Sequence, residues 1–222
     1  MRLLTLSAFL LLAIAVHAQP VEGARSTVKR VYTLATPSDA DDPPVGSLRR
    51  TEVETYGADG RRQRVEWRAP DGAVTLAYME LYGDSGDAFG AVYFEGDDLA
   101  PTLERFEYRR EGDRTVRRVE YSGGDGEVTT VNEFVTDAEG REVERRYGVS
   151  DVGARGGETV TYDGPNATGY VYASADGARR VEYVFRTETV DARGNWTSRV
   201  VLRGGQPSSF ETREIEYASP PR

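Results

Sequence analysis

The sequence predicts an all-β fold: an antiparallel meander of about a dozen strands, twisted and curled into an open barrel-like or rolled sheet. One recurring phrase carries most of that prediction. Arg64-Val65-Glu66-Trp67, Arg105-Phe106-Glu107-Tyr108, Arg118-Val119-Glu120-Tyr121, Arg180-Val181-Glu182-Tyr183 and Glu214-Ile215-Glu216-Tyr217 each alternate charge with an apolar or aromatic side chain. Successive side chains of a strand point to opposite faces, so each phrase is a strand with one dry face and one wet face. Between the strands stand glycine turns: Gly57-Ala58-Asp59-Gly60, Pro70-Asp71-Gly72, Gly123-Gly124-Asp125-Gly126, Asp137-Ala138-Glu139-Gly140 and Asp176-Gly177. Asp-Gly supplies the positive φ of tight hairpins, which returns the chain antiparallel to itself. Past residue 18, no useful window keeps apolar residues at i, i+3, i+4 and i+7.

Residues 1–18 read as a secretory signal peptide. Arg2 is the basic n-region, Leu3 to Val16 the apolar core, and Val16-His17-Ala18 the small-residue cleavage pattern. The chain is therefore expected to be exported, to the periplasm or the extracellular space. Residues 19–47 form an N-terminal arm: Gln19 to Ser26 as a mature terminus, Thr27 to Ala35 as a first strand, and a loop rich in Pro and Asp from Thr36 to Ser47. The sheet domain then runs over 48–218. In the segment Ala73 to Glu95, Val74, Leu76 and Tyr78 share one face and Ala77, Met79 and Leu81 the other. Apolar side chains on both faces predict a strand covered on both sides, by a second layer or by a sheet rolled over it. With no helix to cover the dry face, the sheet must cover itself.

The most complete unit is Arg179 to Tyr217: a strand to Val190, the turn Asp191-Ala192-Arg193-Gly194, a strand from Asn195 to Arg203, a second turn, and a closing strand from Phe210 to Tyr217. Asp191-Ala192-Arg193-Gly194-Asn195-Trp196-Thr197 with the later Arg213-Glu214-Ile215-Glu216-Tyr217 resembles the D-x-x-G-N-W-T … R-x-I-x-Y ending of secreted bacterial β-hairpin repeat proteins related to the YD/RHS repeats. The match spans residues 191–217, and the resemblance implies long antiparallel sheets that wrap or curl. The chain departs from the strict repeat in its irregular period and its single Tyr-Asp pair, Tyr162-Asp163. In this final unit Trp196 and Tyr217 are expected to pack on the dry face and lock the closing hairpin.

Arg61, Glu66, Arg105, Glu107, Arg118, Glu120, Arg145, Arg180, Glu182, Arg199, Arg213 and Glu216 are expected to form the wet face, paired across the ladder. That face argues against an outer-membrane barrel, whose outward positions meet lipid. The overall balance, 37 Asp+Glu against 28 Lys+Arg for a net charge of −9, disfavours nucleic acid as a partner. All the basic residues are Arg except Lys29.

The inventory excludes much chemistry. The one histidine, His17, leaves with the leader, and the chain has no cysteine. Thiol nucleophiles, imidazole bases and His/Cys metal sites are therefore out of reach. Gly83-Asp84-Ser85-Gly86-Asp87 has the letters of a serine-protease motif but the composition of a hairpin turn. No cofactor is expected; calcium is the ion the carboxylates would suit, with Asp84/Asp87, Asp97/Asp98 and Asp39/Asp41/Asp42 as candidate ligands. Trp67, Tyr78, Tyr183, Trp196 and Tyr217 are the candidate ligand-binding or closing aromatics. These features point to a non-catalytic secreted or periplasmic binding or structural module of the bacterial envelope. Its expected partner is an envelope protein, a carbohydrate or a hydrophobic ligand. The alternatives are a carrier holding a lipid or other hydrophobic ligand inside the curled sheet, and a carboxylate-dependent hydrolase acting on carbohydrate.

Overall fold

The computed structural model describes residues 24–34, 45–84, 86–95, 98–122, 127–150 and 153–218. The leader, residues 19–23 and the candidate ligands Asp39, Asp41, Asp42 and Asp97 lie outside them. Among the described residues fourteen strands follow in order: β1 (Ala24–Leu34), β2 (Val45–Tyr56), β3 (Arg62–Arg68), β4 (Val74–Tyr82), β5 (Ala88–Glu95), β6 (Asp98–Glu111), β7 (Arg114–Ser122), β8 (Val128–Thr136), β9 (Glu142–Tyr147), β10 (Gly156–Asp163), β11 (Asn166–Ser174), β12 (Arg180–Val190), β13 (Trp196–Arg203) and β14 (Gln206–Tyr217). Each pairs antiparallel with the next, and β14 pairs with β1, so the meander closes into a barrel.

Closure corrects the expectation of an open or rolled sheet. The segment assigned to the N-terminal arm supplies the last stave: β1 pairs with β14 from Ala24↔Tyr217 to Tyr32↔Phe210, and with β2 from Ser26↔Thr55 to Leu34↔Val45. A sheet that closes leaves no row of unpaired backbone groups, which an open meander of this length would expose at two edges.

Among the described residues the hairpins form as the turn residues dictate; the Gly123 to Gly126 turn lies outside them. Between β12 and β13 the Gly194 N–H donates to the Asp191 carbonyl at 3.0 Å, and the Asp191 N–H to the Asn195 carbonyl at 2.9 Å. Gly194 sits at φ +79°, where a Cβ would be strained. The Asp191 carboxylate accepts from the backbone of Arg193 and Asn195. Asp137 repeats the arrangement between β8 and β9, accepting from Glu139 and Arg141 ahead of Gly140. The Gly83 to Asp87 segment is likewise a turn, joining β4 to β5 through a Gly83 N–H to Asp87 carbonyl bond.

Strand curvature depends on a close approach at Gly169 in β11. A Cβ there would collide with the Tyr183 carbonyl oxygen of the neighbouring strand, which is backbone and cannot step aside. Gly169→Ala is expected to cost about 1–3 kcal/mol. Urea melts of the variant check this, and an unchanged midpoint would show that the strand pair separates freely.

The five phrases form strands as expected, and most of their apolar residues are covered on the lumen face, whereas Tyr108 is 46% exposed. Val65, Trp67, Phe106 and Val119 are buried, and Tyr121, Tyr183, Ile215 and Tyr217 pack against buried clusters. Two expectations about faces fail. On β4 the outward side has no covering layer: Met79 and Leu81 are half-buried, and Val74, opposite Arg68 past a register shift, is 47% exposed. And Arg145, Arg199 and Arg213, assigned to the wet face, point into the lumen and are buried. Arg199 lies opposite Glu211 and Arg145 opposite Glu158, each beside lumen-facing residues of the adjoining strand. Alternation shows which residues share a face but not which face curves inward, and here both faces carry charge.

Candidate functional site

The lumen is lined by aromatic rings and by ionised side chains held in three groups. The first spans β13, β14, β1 and β2. Lys29 Nζ lies 2.5 Å from Glu52, which also takes Arg50 at 2.7 Å. Arg199 donates Nε and Nη2 to Glu211 at 2.8 and 2.7 Å. Glu54 accepts from Tyr56 at 2.6 Å and Thr27 at 3.2 Å. Trp196 lies under two guanidiniums, Arg199 at 4.0 Å and Arg213 at 4.2 Å from the ring centroid. Burial opposes ionisation of Glu211, but Arg199, helped by Lys29, overcomes it and holds the carboxyl at about 2.

The second group lies on β3, β4, β6 and β7. Arg62 bridges Glu80 at 2.7 Å and Glu54 at 3.8 Å. Arg117 approaches Glu80 at 3.7 Å and lies over the rings of Phe106 and Phe134. Two carboxyls here titrate apart. Burial, only partly opposed by Arg117 and a hydrogen bond from Tyr78, pushes Glu104 up to about 7. Burial also acts on Glu80, but Arg62 and Arg117 outweigh it and hold that carboxyl below the usual range. The third group centres on Arg145, which pairs with Glu142 and, at 3.0 Å, with Glu158. Tyr162 donates to the Glu142 carbonyl at 2.8 Å, and Tyr170 stacks on Tyr183 with centroids 4.4 Å apart.

Glu104 gives the barrel a pH signature. Its folded pKa of about 7 exceeds the ordinary 4.5, so the folded chain holds a proton that the unfolded chain releases between those values. The group's contribution is fully present below pH 4.5 and is lost as pH rises to about 7. The change is about 3 kcal/mol. Glu104→Gln is expected to flatten stability over that window and raise the urea midpoint at pH 8 relative to the parent; an unchanged slope would show that Glu104 is ionised in the folded barrel at pH 5.

The five candidate aromatics do not converge on one site. Trp67 is 3% exposed and clusters with Val65 and Leu76, with Tyr78 packed alongside. Tyr183 belongs to the separate cluster of Val160, Ala167, Tyr170, Phe185 and Val201. Tyr217 is tied to the β12–β13 turn that precedes Trp196: its hydroxyl donates to Asp191 at 2.5 Å and accepts from Asn195 at 2.8 Å. Among the described residues no group of three or more His, Cys, Asp or Glu is placed to hold a metal ion. Sequence reading misses the lumen charges altogether. The one local signal was Lys29, the chain's single lysine, opposite an acidic position of β2.

No protein-family model matches the chain, and no curated protein matches it. Among solved structures it is similar to a crystal structure described as that of a porin-like protein from Bacteroides uniformis, with a TM-score of 0.38 and 14% identity over 87% of this chain and 96% of the other.

Proposed function

We propose that the chain is an exported, non-catalytic binding or structural barrel of the bacterial envelope, with an outer wall that faces water. The outer wall carries this reading. Glu66 of β3 holds Arg64 and Arg68 at 2.5 and 2.6 Å, and Glu133 of β8 takes Arg109 of β6 and Arg146 of β9 at 2.7 and 3.1 Å. These groups project outward from strand interiors, where lipid exposure would cost about 2–4 kcal/mol for each cation near the midplane. In water the Glu66 pairs each contribute a few tenths of a kcal/mol, while Glu133 is itself buried with its charge met by both arginines. Relationship to the YD/RHS-like hairpin repeats is part of the proposal, supported by the Asp191 to Thr197 turn. The buried ion pairs disfavour the carrier reading, since they put charge on a lumen surface that an apolar ligand cannot hydrogen-bond.

The test is partition of the mature chain, residues 19–222, between buffer and phospholipid vesicles, followed by a carbonate wash. It is expected to stay in the aqueous fraction, and wash-resistant insertion would overturn the water-facing assignment. Glu104 and Glu80, with pKa values pushed apart, are the pair most like an acid and its partner carboxylate. Polysaccharide hydrolysis that disappears in Glu104→Gln would overturn the non-catalytic assignment.

A further inference from the structure

The lumen group on β13, β14, β1 and β2 has more positive charge than its carboxylates meet. Lys29 and Arg50 share Glu52, and Arg199 takes Glu211. Arg213, 7% exposed, is left over: among the described residues no carboxylate oxygen lies within 4.0 Å of its guanidinium. Its Nε donates to the Trp196 carbonyl at 3.1 Å, and its terminal nitrogens have no hydrogen-bond partner among those residues. A second donor is idle beside it. Arg199 is 2% exposed, and its Nη1 is buried without a partner. Both guanidiniums lie over Trp196, and Arg199 also lies 3.8 Å from the centroid of Phe185.

Buried donors are nearly always hydrogen-bonded, and a buried cation without a counter-ion is strongly unfavourable. Here a buried donor without a partner, Arg199 Nη1, and a guanidinium without a carboxylate in contact, Arg213, both touch the same indole. Burial and then the neighbouring Arg199, only partly offset by Tyr56 and Glu54, push Arg213 down to about 10, the direction expected of a cation with no carboxylate in contact. We propose that this patch binds a small carboxylate, which takes its hydrogen bonds from the terminal nitrogens of Arg213 and Nη1 of Arg199 beside the Trp196 ring. The planar fork of a guanidinium matches a carboxylate. The aromatic walls favour that monoanion over a phosphate dianion, which would lose far more solvation on entry. The inference rests on the reading of the chain as a non-catalytic binding module and names its ligand class.

The test is titration of the mature chain with sodium acetate, with sodium chloride holding ionic strength constant, followed by tryptophan fluorescence and by calorimetry. A saturable one-site response is expected, with a rise in melting temperature as the ligand loads the folded state. Arg213→Gln should weaken binding about tenfold or more, whereas the exposed outward residue changed in Arg186→Gln should leave it intact. Should Arg213→Gln melt without cooperativity, Arg213→Lys takes its place, keeping the charge and losing the fork, again with weaker binding. The proposal is overturned if the parent gives no saturable response, if a folded Arg213 variant binds as the parent does, or if inorganic phosphate saturates where acetate does not. Those outcomes are independent of vesicle partition: a barrel that stays in buffer and ignores acetate would lose the site and keep the water-facing reading.

Discussion

Trp196→Ala is expected to lower the unfolding free energy of the mature chain by about 3–5 kcal/mol. The ring is 4% exposed at the start of β13, and the Arg199 and Arg213 guanidiniums rest on it. Truncation removes that buried surface and two cation–π contacts, and opens a void beside two buried guanidiniums. The neighbouring strands cannot collapse into the space, because β13 is held on both sides by β12 and β14. Tyr217→Ala should cost less, about 1–3 kcal/mol, since that ring is half-buried and loses chiefly its bonds to Asp191 and Asn195. Urea melts separate the cases: midpoints should fall with the slope unchanged. Midpoints equal to the parent's would mean that neither ring locks the closing seam.

Glu211→Gln is the second large effect, expected at about 3–5 kcal/mol near neutral pH. Arg199 holds Glu211 with two nitrogens, and both side chains are buried, so the neutral amide leaves a guanidinium in the lumen without its counter-ion. Glu211 has a folded pKa of about 2 against an ordinary 4.5, so its contribution is complete above pH 4.5 and disappears as pH falls towards 2. The gap between parent and variant should therefore narrow on acidification, opposite in sign to the Glu104 effect. Replacing both partners, Arg199→Met with Glu211→Leu, should recover most of the loss, because a buried pair exchanged for apolar groups of similar volume is close to neutral. Melts at pH 3 and pH 7 decide it. A gap that does not vary with pH would show that the pair is not what the single substitution removes.

Local structure was largely legible before the fold. The phrases around Val65, Phe106, Val119, Tyr183 and Ile215 are strands with most of their apolar residues inward, because a two-residue period is written in consecutive residues. The Asp191 and Asp137 turns are legible for the same reason: a carboxylate and a glycine three residues apart carry the hairpin geometry themselves. The wet-face assignment failed at Arg145, Arg199 and Arg213, although each stands in a strand correctly read as a strand. Their charge is typical of a solvated position, and only a carboxylate or an aromatic ring brought up by another strand makes burial tolerable.

By itself the sequence determined the strands, their turns and the alternation of faces, since each depends on residues a few positions apart. Tertiary structure alone decided that the sheet closes, which face becomes the lumen, and which charges go inside with it. Closure joins β1 to β14, from opposite ends of the chain, and depends on twist and curvature accumulated over every intervening strand. The Arg199, Arg213 and Trp196 cluster inherits that dependence, because its charge balance includes Lys29 and Glu52, which reach its side of the lumen only once the seam is made.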